Sequence, residues 1–280
     1  MRTHPSLTTS NREYAIGLAR AFGGALLFAL PLLMTMEMWY LGFYAHPGRL
    51  LLFYAVNFLI LVGLSRFGGF ERTANLFEDA LDAFAALAVA IATSALVLSV
   101  FGIVTPEMEL DEIVGKIAIQ SIPCSFGAML ARKQLSGGES EEDAIQAERT
   151  AGYKGQIFLM MAGALFLAFN VAPTEEMILI SFLMSPWQAL LLVLLSILLL
   201  EAFVYGLGFA GQRERPADIH PLGTFLRFSV VGYALALAVS LYVLWTFGRT
   251  DGVALAPVAM AAVVLAFPAA IGAAIARLVV

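Results

Sequence analysis

Charge is scarce in this sequence. Of 280 residues, 13% are Asp, Glu, Lys or Arg, whereas 60% are hydrophobic and the mean hydropathy is +0.86. A soluble domain carries about 25% charged and roughly 45–50% apolar residues. The composition therefore excludes an ordinary soluble domain and predicts an all-α, polytopic membrane protein whose first partner is the lipid bilayer. Cysteine is scarcer still. Cys124 is the only one, which excludes an intrachain disulfide and a cysteine-based metal site. Histidine occurs three times, as His4, His46 and His220, each in an expected tail or loop. Intramembrane zinc and histidine acid–base chemistry then lack their residues, and no particular metal is indicated. Rossmann and P-loop glycine patterns are missing too, so no nucleotide, no other cofactor and no nucleic-acid partner are expected. The first residues, MRTHPSLTTSNREY, lack the basic, apolar and small-residue order of a signal peptide. Insertion is expected to begin with the first spanning helix.

What is present is a series of long apolar runs. A spanning helix needs about 20 mostly apolar residues. Eight such segments are read, near 15–44, 48–67, 83–104, 113–132, 155–183, 187–210, 225–248 and 253–276. The first and fifth exceed the need, so they are expected to be tilted or broken. Placing the N-terminus inside puts thirteen of the sixteen Lys and Arg residues on the cytoplasmic side, leaving Arg49, Lys116 and Arg249 outside. That asymmetry predicts both termini in the cytoplasm and a multi-pass protein of the cell (inner) membrane. Trp39, Trp187 and Trp245 fall near the outer ends, where an aromatic belt is expected. The outer loop TPEMELDE (105–112) is acidic, and its acids are read as solvated.

The chain also reads as duplicated. GALLFALPLLMTMEMWYLGFYAHPG (24–48) aligns without gaps onto 163–187 at an offset of 139, matching Gly24 with Gly163, Thr35 with Thr174, Glu37 with Glu176 and Pro47 with Pro186. SALVLSVFG (94–102) pairs with SLYVLWTFG (240–248). PCSFGAMLAR (123–132) pairs with PAAIGAAIAR (268–277), sharing P-x3-G-A-x2-A-R. The expected plan is a tail 1–14, a four-helix repeat 15–133, an acidic cytoplasmic linker 134–153 and a second four-helix repeat 154–280. An even number of helices per half makes the repeat parallel, with its pseudo-two-fold along the membrane normal. The Gly and Ala of the shared motif predict a small-residue face for close helix packing.

NVAPTEEMILI (170–180) poses the functional question, because two acids lie between apolar runs. Glu176 matches Glu37, while Glu175 matches Met36 and has no counterpart. Each matched acid lies nine positions before an outer-loop residue, His46 or Ser185, which is about 13 Å if the helix continues. A carboxylate at such depth is costly, roughly 2.5–3.5 kcal/mol on insertion scales, and is read as functional by default. Pro173 and Pro31 predict breaks just before the acids. Thr174 and Thr35 then sit where a capping hydroxyl belongs, with acids in the first turn behind them. The candidate ion-binding or proton-carrying residues are thus Glu37, Glu175, Glu176, Thr35 and Thr174. Glu201, with Val62 at the matching position, is a candidate second station or a partner of Arg20 or Arg66. Asn57 and Gln120 are read as interhelical hydrogen-bonding residues. Glu78, Asp79 and Asp82 are read as dipole partners at a solvated helix start.

Three function classes compete. A cation transporter, proton-coupled or not, uses the paired acids. A channel has no TVGYG-like filter run here. A scaffold without transport has no positive signal, and the oligomeric state is left open. The run APTEEM also resembles the start of the glutamate motif of CAAX-type intramembrane proteases. That family pattern implies an Arg where Ile180 stands and membrane histidines, so acid–base chemistry lacks its partners and no catalytic residue is assigned. Taken whole, the chain resembles a family of bacterial integral membrane proteins of similar length, on the NVAPTEEM stretch, the eight-helix plan and the acidic linker. The resemblance implies membrane location, and no activity comes with it.

Overall fold

The computed structural model describes residues 11–67, 76–135, 141–203, 223 and 225–279. Among them the chain is helical throughout, with no strand. The helices are α1 (Asn11–Leu33), α2 (Met36–Tyr44), α3 (Pro47–Phe67), α4 (Leu76–Val100), α5 (Leu110–Leu135), α6 (Glu141–Val171), α7 (Glu175–Leu183) and α8 (Pro186–Glu201). A π-helical turn (Phe225–Val230) leads into α9 (Val231–Thr246), and α10 (Leu255–Val279) ends the chain. Seven helices are long and apolar enough to cross a membrane, or eight if the bent pair α7–α8 counts as one span. The expected linker region is partly helical: α6 starts at Glu141 and turns at Gly152, whose positive φ of 57° interrupts the helix.

The two over-long segments are broken, as their length requires. α1 stops at Leu33 and α6 at Val171, and a nine-residue helix follows each break. These short helices start 139 positions apart (175 − 36), and α3 and α8 start 139 apart (186 − 47). Each of α3 and α8 opens on Pro, tolerated in a first turn because that N–H has no helical partner anyway. His46 Nδ1 accepts from the Gly48 N–H ahead of α3. Ser185 and Gln188 form a reciprocal capping box on α8.

Packing is tightest where glycine replaces a side chain. α1 lies on α5, and α6 lies on α10. A Cβ on Gly127 would collide with the Gly24 carbonyl oxygen, and Cβ atoms on Gly163 and Gly272 would each collide with the other's carbonyl. Gly127 and Gly272 are the glycines of the P-x3-G-A motifs, so the small-residue face is where backbones meet. Residues 15–133 and 154–280 join along an aromatic seam. Phe53 stacks on Phe169 at 5.3 Å between centroids and meets Tyr242 and Phe247 edge-on, while Phe28 and Phe126 flank Phe166. Large apolar side chains such as Leu27, Leu51, Trp187 and Leu255 point outward, as a lipid-facing surface requires.

Candidate functional site

The breaks leave backbone carbonyls without helical donors, and side chains supply them. Thr35 Oγ1 donates to the Pro31 carbonyl at 2.6 Å, and Thr174 Oγ1 donates to the Val171 carbonyl at 2.8 Å. Both threonines occupy the N-cap position of the following helix, yet neither makes a side-chain cap bond to it. The expected forward cap is therefore corrected: the hydroxyls turn back to the carbonyls exposed by the break. Trp39 also contributes. Its indole N–H donates to the Leu33 carbonyl at 2.9 Å, so it seals the end of α1.

The acids divide into unlike environments. Glu175 is exposed and accepts a hydrogen bond from Arg249 at 2.7 Å, while the same guanidinium nitrogen donates to the Pro173 carbonyl at 2.8 Å. Glu176 is exposed, and Glu37 is half-buried. Neither has a hydrogen-bond or ion-pair partner among the described residues. All three lie in first helical turns, where the helix dipole favours negative charge. The depth of about 13 Å needs a straight helix, and α7 does not give one. It bends by 119° into α8, so its axis is 61° from antiparallel to α8 (180 − 119). The expected depth of Glu176 therefore does not follow from the count of residues.

The short helices that carry the paired acids dock alike: α2 packs on α5 and α7 on α10, the two helices that carry the P-x3-G-A motif. A cavity of about 280 Å³ opens beside α7, lined by Ile178, Ser181, Arg249 and apolar residues of α9 and α10. An apolar cavity of about 310 Å³ lies along the seam, between Phe28, Phe126, Phe166 and Ile275. Neither Glu37 nor Glu176 lines either cavity. Among the described residues no group of three His, Cys, Asp or Glu side chains is placed to hold a metal ion.

Glu201 accepts from Ser229 of the π-helical turn. Arg66, one of its candidate partners, lies 4.0 Å from Asp79 instead. Asp79 itself is 1% exposed and accepts from Ser65 at 3.2 Å, so it is a buried group and not a solvated one. Glu112 is likewise no free loop acid, because Lys116 reaches it at 2.6 Å.

The residues that sequence reasoning underrated lie around α5. Asn57 is fully buried and donates to Ser125 Oγ at 3.1 Å. Gln120, also fully buried, donates across to the Leu32 carbonyl at 2.9 Å. Tyr54 bonds Ser121 and the Ala118 carbonyl, and Ser94 bonds Cys124. Asn57 Oδ1 and Gln120 Oε1 have no partner among the described residues, and a dry oxygen of this kind costs about 1–3 kcal/mol. The signal was present as polar residues 116, 120, 121, 124 and 125, one face-and-a-half of a single helix.

A family model described as "Putative integral membrane protein (DUF2391)" matches residues 17–280. The chain belongs to this family. It is accordingly a multi-pass membrane protein, with the bilayer as its solvent and the exposed leucines and aromatics as its lipid face. No curated protein and no solved structure matches the chain.

Proposed function

We propose that this protein is a cation transporter of the cell (inner) membrane, with both termini cytoplasmic and Glu37 and Glu176 as its ion- or proton-carrying acids. The observation that carries the reading is Glu37. It is half-buried in a membrane protein and has no compensating partner among the described residues, a state that is costly and that favours a mobile cation or proton as counter-charge. Glu175 drops out of the carrying set, because Arg249 already neutralises it. Glu201 becomes a positioning group for the π-helical turn. Thr35 and Thr174 hold the breaks in place.

The reading includes a parallel duplication. It is supported by the short helices that start 139 positions apart (175 − 36) and by the close contacts of Gly127 with Gly24 and of Gly272 with Gly163. Paired interruptions in corresponding segments are the usual pointer to a transport site. The competing reading is static, with acids serving only as dipole partners of α2 and α7. Flux measured in vesicles containing Glu37→Gln and Glu176→Gln separates the two. Flux unchanged in both variants would leave only the static reading.

A further inference from the structure

α2 docks on α5 more tightly than α7 docks on α10. The first pair meets backbone to backbone. A Cβ on Gly42 would collide with the Lys116 backbone, and a Cβ on Gly115 would collide with the Gly42 carbonyl. Glycine permits so close an approach because it has no side chain there. At the aligned offsets of 139 and 145 stand Ser181 on α7 and Met260 on α10. Their side chains forbid the same approach. Beside Ser181, between α7 and the corner that joins α9 to α10, lies the cavity of about 280 Å³.

This cavity is amphipathic. Ile178, Phe182, Leu244, Val258 and Ala261 give it apolar walls, and Arg249 gives it one charged end. It lies where helices end, because α9 stops at Thr246 and α10 starts at Leu255. Trp245 and the exposed Trp187 are at the same turns, and tryptophan favours the headgroup level of a bilayer. Phe182 and Leu183 are 68% and 74% exposed, so the α7 rim of the cavity faces lipid.

Arg249 has donors to spare. Among the described residues its bonds come from Nη2 alone, to the Pro173 carbonyl and to Glu175 Oε1, and its buried Nε has no partner. A guanidinium offers five N–H donors, so Nη1 is left for an incoming acceptor. Glu175 has capacity as well: it is 64% exposed and only its Oε1 is engaged. Arg49 and Asp251 add a second paired charge of each sign beside Gly248. Paired charges pull weakly on a simple anion, but they match a ligand that carries both signs.

We propose that this cavity seats a zwitterionic phospholipid of the phosphatidylethanolamine class. Its phosphate accepts hydrogen bonds from Arg249, and its ammonium donates to Glu175. The glycerol and the upper part of the tails fill the apolar walls, and the rest runs over Phe182 and Leu183. A choline headgroup has no N–H to give Glu175, and a phosphoglycerol headgroup has no cation for it. The lipid seat does not rest on the transport reading.

Native mass spectrometry of the delipidated full chain tests this. The chain is titrated in detergent with phosphatidylethanolamine, phosphatidylcholine and phosphatidylglycerol of identical tails. Wild type should retain one phosphatidylethanolamine severalfold more strongly than either other lipid. Arg249→Gln should weaken this about tenfold, the worth of one charge-assisted hydrogen bond. Glu175→Gln should erase the preference over phosphatidylcholine. Val258→Phe fills the cavity without touching its polar groups and should abolish retention, whereas Leu190→Phe on the lipid-facing side of α8 should not. Equal retention of all three lipids by wild type overturns the headgroup assignment. Undiminished retention in Val258→Phe overturns the cavity as the seat. Full displacement by inorganic phosphate, which has no tails, makes the cavity a soluble-anion site and overturns the lipid.

Discussion

Arg249 ties Glu175 to the break that precedes it, donating to the Glu175 carboxylate at 2.7 Å and to the Pro173 carbonyl at 2.8 Å from one nitrogen. The two contacts are unequal in worth. Glu175 is 64% exposed, so its ion pair is screened and contributes under about 1 kcal/mol. The Pro173 carbonyl belongs to a buried residue and loses a charged donor if Arg249 goes, which costs roughly 1–3 kcal/mol. Arg249→Ala is expected to lower the melting temperature in detergent clearly more than Glu175→Ala. Equal shifts would assign the stabilisation to the ion pair alone.

A second cross-link predicts a pH effect. Arg49 grips Asp251 through two hydrogen bonds of 2.8 and 2.9 Å and lies 4.7 Å from the Trp245 ring centroid. The hydrogen bond from Arg49 holds the Asp251 carboxyl below its ordinary value of 3.8. A carboxyl depressed in the folded state stabilises above the unfolded value and loses that contribution as pH falls through the folded one. The melting-temperature gap between wild type and Asp251→Asn should be full above pH 3.8 and close below it. A gap that widens on acidification would contradict the assignment.

The glycine contacts predict a steric result. Gly127→Ala and Gly272→Ala drive a methyl into a backbone carbonyl of the facing helix. Each should destabilise by about 1–3 kcal/mol. Gly17→Ala meets nothing within 4 Å and should be neutral or gain up to about 1 kcal/mol of helix propensity. Thermal unfolding followed by fluorescence-detected size exclusion ranks the three.

Much of the architecture was legible in the residues. Run length gave seven spans outright and an eighth only if the bent pair α7–α8 is one span, and Pro173 and the over-long segments located the breaks, whereas Pro31 lies inside α1. The P-x3-G-A motifs located the helix contacts. The direction of the threonine hydroxyls was not legible, because a Thr before a helix satisfies the next helix's N–H groups in most settings. Here the last carbonyls of α1 and α6 were the nearer acceptors. The turn at Ser185 was legible as the loop between segments 155–183 and 187–210, but its angle of 119° was not. Arg249 was read only as an outer charge, because its partner lies 74 residues away in sequence. Asn57 and Gln120 were correctly read as bonding between helices. Their spare oxygens emerge only when burial and partner are known together.

Glu37 and Glu176 are alike in sequence and unlike in burial, so they should respond differently to mutation. Glu37→Gln should impair flux more than Glu176→Gln, and Glu175→Gln should leave it close to wild type. Initial rates in vesicles of equal protein content check the order.

Cation flux through Glu37→Gln and Glu37→Asp, measured side by side as the decay of an imposed pH gradient in vesicles, tests the central claim most directly. The account predicts that Gln abolishes the protein-dependent decay while Asp, which keeps the carboxylate, restores part of it. Decay as fast in Glu37→Gln as in wild type would contradict it.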